Sequence, residues 1–203
     1  MRGPRIVLLL GAFDPPTRAH VEMALAAGRL KDAEPALCLT SVVLNRPRKP
    51  LLKWAERLEL LEEVCDAHGL GLAVANRGTY LEVAGAAESS GFDATFLVGS
   101  DKIPQLLDPA FYDDGPAGVE ATVARVKLLV VGRPGSERAS EAGPRFEELP
   151  ASGAFADPRT SLLSATEVRQ RLRDGRSVDD LVPPAVARRL RRYTVRPSDP
   201  RSE

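Results

Sequence analysis

The sequence predicts an α/β fold, a doubly wound parallel sheet of about five or six strands with helices on both faces, and three observations carry that prediction. Mostly apolar runs recur at 6–10, 36–44, 94–98 and 127–131, the pattern of strands covered on both faces. Between them lie segments with apolar residues at helical spacing, as crossovers between parallel strands require. The 203 residues, 43% of them hydrophobic, suit one such domain and its two core layers.

The first strand, 6–10, runs into Gly11, Ala12, Phe13, Asp14, Pro15 and Pro16 and then a helical stretch. A strand, a glycine turn and a helix in that order present backbone N–H groups and a positive dipole end to an anion. With Thr17 as N-cap, His20 occupies the third helical position, where its imidazole adds a cationic donor. Taken singly, these are ordinary parts: Pro-Pro-Thr opens many helices and a first-turn histidine is commonly a surface side chain.

The second strand, 36–44, ends in a proline-rich loop carrying Arg46, Arg48 and Lys49. Trp54, Leu58, Leu61 and Cys65 recur at helical spacing, which places Trp54 in the core, and Gly69 stops that helix. Residues 70–75 read as a third strand, 79–90 as a weak helix and 94–98 as a fourth strand ending at Gly99, Ser100 and Asp101. A helix over 119–125 leads to a fifth strand at 127–131. From 132 to 158 glycine, proline, serine and charge predict a loop or lid, with a short strand near Arg145 and Phe146. Ser164 followed by Glu167 reads as a capping box for a helix that Gly175 ends. A last helix follows Pro184 and reaches Tyr193. The expectation is one domain over 1–195 and a disordered tail at 196–203.

Lys plus Arg and Asp plus Glu each total 28, so the chain lacks the basic field of a general nucleic-acid binder. The two cysteines, Cys38 and Cys65, read as buried free thiols of a reducing compartment. No apolar run has the length of a membrane span, and the run near the N-terminus is too short for a secretory core, so the cytoplasm is expected. His20 and His68 are the only histidines, and no His/Cys metal site is expected. Neither a P-loop nor a glycine-rich dinucleotide fingerprint is present.

Gly11, Phe13, Pro15, Thr17 and His20 together resemble the signature of the HxGH nucleotidyltransferase superfamily, with Ala12 and Ala19 departing from it. Leu163, Ser164, Thr166, Val168 and Arg169 are similar to the superfamily's late phosphate-gripping helix start, where Ala165 replaces a serine. Gly99, Ser100 and Asp101 look like the G-[AS]-D segment of nicotinamide and nicotinate mononucleotide adenylyltransferases. Lys49, Leu52 and Arg57 resemble the loop and helical arginine that hold the mononucleotide phosphate there.

The resemblance implies a Rossmann-like fold and transfer of AMP from ATP to nicotinate or nicotinamide mononucleotide, with Mg²⁺ carried on ATP phosphates. It further implies that Gly11, Ala12, Phe13, Thr17, His20, Gly99, Asp101, Ser164, Thr166 and Arg169 bind ATP. His20, Thr17 and Arg169 would be catalytic, and Lys49, Arg57 and Trp54 would meet the acceptor. A methyl at Ala19 is expected to crowd the phosphate. Trp54 therefore has two readings, core packing and stacking on a pyridine ring. The expected partners are these two nucleotides, without nucleic acid or membrane, and a homo-oligomer is left open. The rivals are phosphopantetheine adenylyltransferase, whose arginine-rich segment finds no match, and a nucleotide-binding regulatory protein without turnover.

Overall fold

The computed structural model describes residues 3–40, 50–76, 79–132 and 145–193. The parts of the expected second strand beyond residue 40, the cationic loop with Lys49 and the tail at 196–203 lie outside them, as does most of the expected lid.

Six parallel strands form one sheet. They are β1 (Arg5–Gly11), β2 (Glu34–Thr40), β3 (Gly71–Ala75), β4 (Asp93–Gly99), β5 (Leu128–Val131) and β6 (Phe146–Leu149), in the order β3-β2-β1-β4-β5-β6. The helices are α1 (Arg18–Lys31), α2 (Trp54–His68), α3 (Tyr80–Ser89), α4 (Ile103–Leu106), α5 (Pro116–Arg125), α6 (Ala151–Ala154), α7 (Ala165–Arg173) and α8 (Pro184–Leu190).

Alternate strand residues feed two apolar layers, as the pleat demands. Val7, Leu9, Leu37, Leu39, Leu97 and Leu129 face α1, α2, α7 and α8. Leu8, Cys38, Phe96, Val98, Leu128 and Val130 face α3, α4 and α5. Both cysteines are buried and free, Cys38 in the second layer and Cys65 in the first. Burial holds each thiol at a pKa of about 11, so both are protonated at neutral pH.

Helix ends follow the sequence closely. Gly69, at φ 65°, closes α2 in the left-handed region, and the Gly175 N–H reaches the Leu172 carbonyl at 3.2 Å just beyond α7. The short strand expected near Arg145 and Phe146 is β6, which adds to the sheet edge, and α6, not expected from the sequence, follows at once. The β6 burial pattern of in, out, out, in leaves no apolar run to mark the strand. Among the described residues no helix is long and apolar enough to cross a membrane.

Candidate active site

β1 pairs with β2 on one side and β4 on the other, so the strand order reverses at β1 and β4. In an open α/β sheet the crevice outside the carboxyl ends of such strands receives ligands. The register of Leu9 with Leu97 brings Gly11 and Gly99, each two residues on, to that same edge.

Beyond Gly11 the chain doubles under itself. Phe13 takes a φ of 45° and is 3% exposed. Its ring fills the space a side chain at 11 would need, since a Cβ there would lie 3.2 Å from Cζ. The same ring meets His20 edge-on, with centroids 5.2 Å apart. On the other side of the imidazole, Nδ1 accepts the Thr17 backbone N–H at 2.9 Å and lies 2.9 Å from Thr17 Oγ1. A ring nitrogen that accepts carries no proton, so His20 offers Nε2–H as its donor.

Three expectations about this turn are corrected. Thr17 has no exposed surface; it orients His20 from behind and does not face a ligand. The backbone N–H groups of Thr17, Arg18 and His20 are engaged by His20 Nδ1, the Leu181 carbonyl at 3.0 Å and the Thr17 carbonyl at 3.1 Å. The start of α1 therefore contributes its dipole and His20 more than a cradle of amides. Ala19 is also fully buried and belongs to the apolar layer, so its methyl points into the core and does not crowd a phosphate.

The second helix end, that of α7, is more open. Ser164 Oγ accepts the Glu167 N–H at 3.1 Å, but Glu167 turns away to the Arg171 guanidinium at 3.0 Å, leaving only half of the expected capping box. Each hydroxyl that accepts still has its own proton to donate. Arg169 spans the two motifs: Nη2 donates to Thr166 Oγ1 at 2.9 Å and Nη1 to the Asp14 carbonyl at 2.5 Å. The approach to α7 is pinned to α1 as well, where Glu22 accepts the Ala156 N–H at 3.2 Å.

Arg57, expected from the resemblance to meet the acceptor, is 6% exposed and donates to the Ala12 carbonyl at 2.9 Å. It braces the turn from beneath. Trp54, by contrast, is 39% exposed at the first residue of α2, which corrects its core assignment. Lys49 falls outside the described residues. At the end of β4, Ser100 is buried and Asp101 is exposed with the Lys102 ammonium 3.5 Å away.

Two residues acquire a role that the sequence did not announce. The buried Asp14 carboxylate accepts the N–H groups of Leu51 and Leu52, each at 2.9 Å. Tyr80 packs edge-on against Phe96 at 5.7 Å, and burial, with Tyr112 and Asp101 nearby, pushes its phenol well above the ordinary range. It packs against the second apolar layer, beneath β4. Among the described residues no group of three His, Cys, Asp or Glu side chains could hold a metal ion.

A Rossmann-like sheet whose switch point carries a histidine motif and a second, serine-capped helix end defines a nucleotidyltransferase, and the chain belongs to the cytidylyltransferase-like family, whose model matches residues 8–171. Within it, the chain is 30% identical over 201 residues to a Gemmatimonas aurantiaca protein named probable nicotinate-nucleotide adenylyltransferase, covering 90% of this chain and 88% of that one. It is 32% identical over 206 residues to a Bordetella avium protein of the same name, covering 92% and 94%. It is also 29% identical over 198 residues to the phosphopantetheine adenylyltransferase of Chloroflexus aggregans, covering 92% and 95%. In structure it resembles Plasmodium falciparum nicotinic acid mononucleotide adenylyltransferase complexed with NaAD, with a TM-score of 0.72 at 15% identity, covering 95% of this chain and 97% of that one.

Proposed function

We propose that this protein transfers AMP from ATP to nicotinate mononucleotide, releasing pyrophosphate and forming the dinucleotide. The observation that carries the reading is the Arg169 bridge between the two helix starts at the sheet's switch point. It ties the α7 start, with its Ser164 and Thr166 hydroxyls, to the turn that leads into His20. The relatives named for nicotinate mononucleotide support the acceptor.

An acceptor phosphate oxygen attacks the α-phosphorus in line while pyrophosphate leaves, and no side-chain nucleophile is required. The protein's part is alignment and neutralisation of growing negative charge. His20 Nε2–H and the α1 dipole face the reacting phosphate. Ser164, Thr166 and Arg169 draw charge toward the departing pyrophosphate, Arg169 with the planar fork that suits phosphate oxygens. Gly99 and Asp101 border the nucleoside side of the crevice. Trp54 offers an exposed ring to the pyridine, and Lys49 is assigned to the acceptor phosphate from the sequence. Mg²⁺ enters as part of the substrate, on the triphosphate oxygens.

Pyrophosphate release is measured with ATP, Mg²⁺ and nicotinate mononucleotide, nicotinamide mononucleotide or phosphopantetheine in turn. Turnover is expected to be greatest with nicotinate mononucleotide. Preference for phosphopantetheine, to which the Chloroflexus relative points, would replace the acceptor, and no release with any would leave a nucleotide-binding protein without turnover.

A further inference from the structure

We infer that Asp14 is a positioning residue for the acceptor half of the site, acting through the main chain of Leu51 and Leu52 and not on either substrate. The inference rests on the adenylyltransferase reading. Asp14 is 5% exposed, and a carboxylate taken that far from water needs donors on its oxygens. It has them: Oδ2 receives the Leu51 N–H and Oδ1 the Leu52 N–H, each at 2.9 Å. Two charge-assisted bonds to successive amides fix the orientation of that segment as well as its place.

Those amides lead directly into α2, whose N-cap is Lys53 and whose first residue is the half-exposed Trp54. One turn later Arg57 returns to the Ala12 carbonyl, so residues 12–14 and 51–57 close a ring around the start of α2. The Asp14 carbonyl meanwhile holds Arg169. One residue thus serves both halves of the site with different atoms: its side chain seats the α2 end and its main chain the α7 end.

This division makes the inference testable. Asp14→Asn keeps the carbonyl but sets an amide NH₂ against one of the two backbone donors. Leu51→Pro removes the N–H that Oδ2 receives while leaving the carboxylate in place. Because Leu51 is only partly buried, this second variant carries the test should the first fail to fold. Either variant is expected to raise KM for the mononucleotide about tenfold, the loss of one charge-assisted hydrogen bond, while KM for ATP stays within about twofold. Equal changes in both constants, or none, in a folded variant would overturn the inference.

Hydrogen exchange of the amides at 51–57, read without substrate, is expected to quicken at least about tenfold while that of 165–173 is unchanged. Unaltered exchange at 51–57 overturns the inference whichever acceptor the enzyme uses. A faster rate there, together with no turnover on any mononucleotide, would reject the adenylyl-transfer reading alone.

Discussion

The starts of α1 and α7 face the same crevice but are built on opposite plans. At α1 nearly everything is enclosed: Thr17 and Ala19 have no exposed surface, the N–H groups of Thr17, Arg18 and His20 are engaged, and the Phe13 ring meets His20 edge-on from one side. At α7 Thr166 and Glu167 are exposed, the cap is a single serine hydroxyl, and the functional guanidinium reaches across to another element. A group that meets the reacting phosphorus has to be held before substrate arrives, because reorganisation there is added to the barrier. At α7 it is the hydroxyl of Thr166 that stands open to solvent, while Arg169 is tied to the Asp14 carbonyl. The contrast teaches that one crevice can be bordered by a helix start locked by burial and by another left open to solvent.

The sharpest way to break this comparison is at the enclosed end. His20→Ala is expected to lower kcat by about 10²-fold or more with the fold retained, measured by pyrophosphate release alongside thermal unfolding; an unaltered rate would remove His20 from the chemistry. At the open end the expected loss is smaller and falls on binding. Arg169→Lys should weaken ATP by about tenfold, since an ammonium cannot hold both the Asp14 carbonyl and a phosphate with one planar fork. Calorimetric titration of ATP checks it, and equal affinities would reduce Arg169 to a strut between helices.

Thr166→Ala deletes one exposed hydroxyl and is expected to raise KM for ATP only about two- to fivefold. A larger loss than that of Arg169→Lys would mean that the open end works through its hydroxyls. Ala19→Gly should leave ATP affinity unchanged and cost about 1–2 kcal/mol of stability, from helix propensity and the lost buried methyl. Tighter ATP binding in that variant would restore the idea that the methyl crowds the phosphate.

How much of this could be read from the chain depends on the range over which each feature is encoded. Strands buried on both faces appear as mostly apolar runs, and β1, β2, β4 and β5 were legible for that reason. The edge strand β6 alternates two buried and two exposed residues and was only hinted at within a stretch that reads as loop. Trp54 shows where periodicity misleads: it shares a helical face with Leu58 and Leu61, but as the first residue of α2 it projects past the apolar layer.

The site divides the same way. The Thr17 cap and His20 at the third position are local geometry and follow from spacing. The burial of Arg57 under Ala12 and the grip of Asp14 on Leu51 and Leu52 join residues 37 to 45 positions apart, and no local pattern announces such pairs.

The carbonyl of Leu181 that receives the Arg18 N–H has a consequence for how the protein is made. A chain grows from its N-terminus, so the histidine turn leaves the ribosome early, and all six strands precede the residues that complete its surroundings. Leu181 closes the first turn of α1 over a span of 163 residues, and Arg169 reaches Asp14 over 155. Contacts so distant in sequence form late, after the intervening chain has found its place. The histidine turn is therefore among the first parts synthesised and among the last to be finished, and a nascent chain stalled before α7 holds His20 without the Arg169 that ties the two ends of the site together.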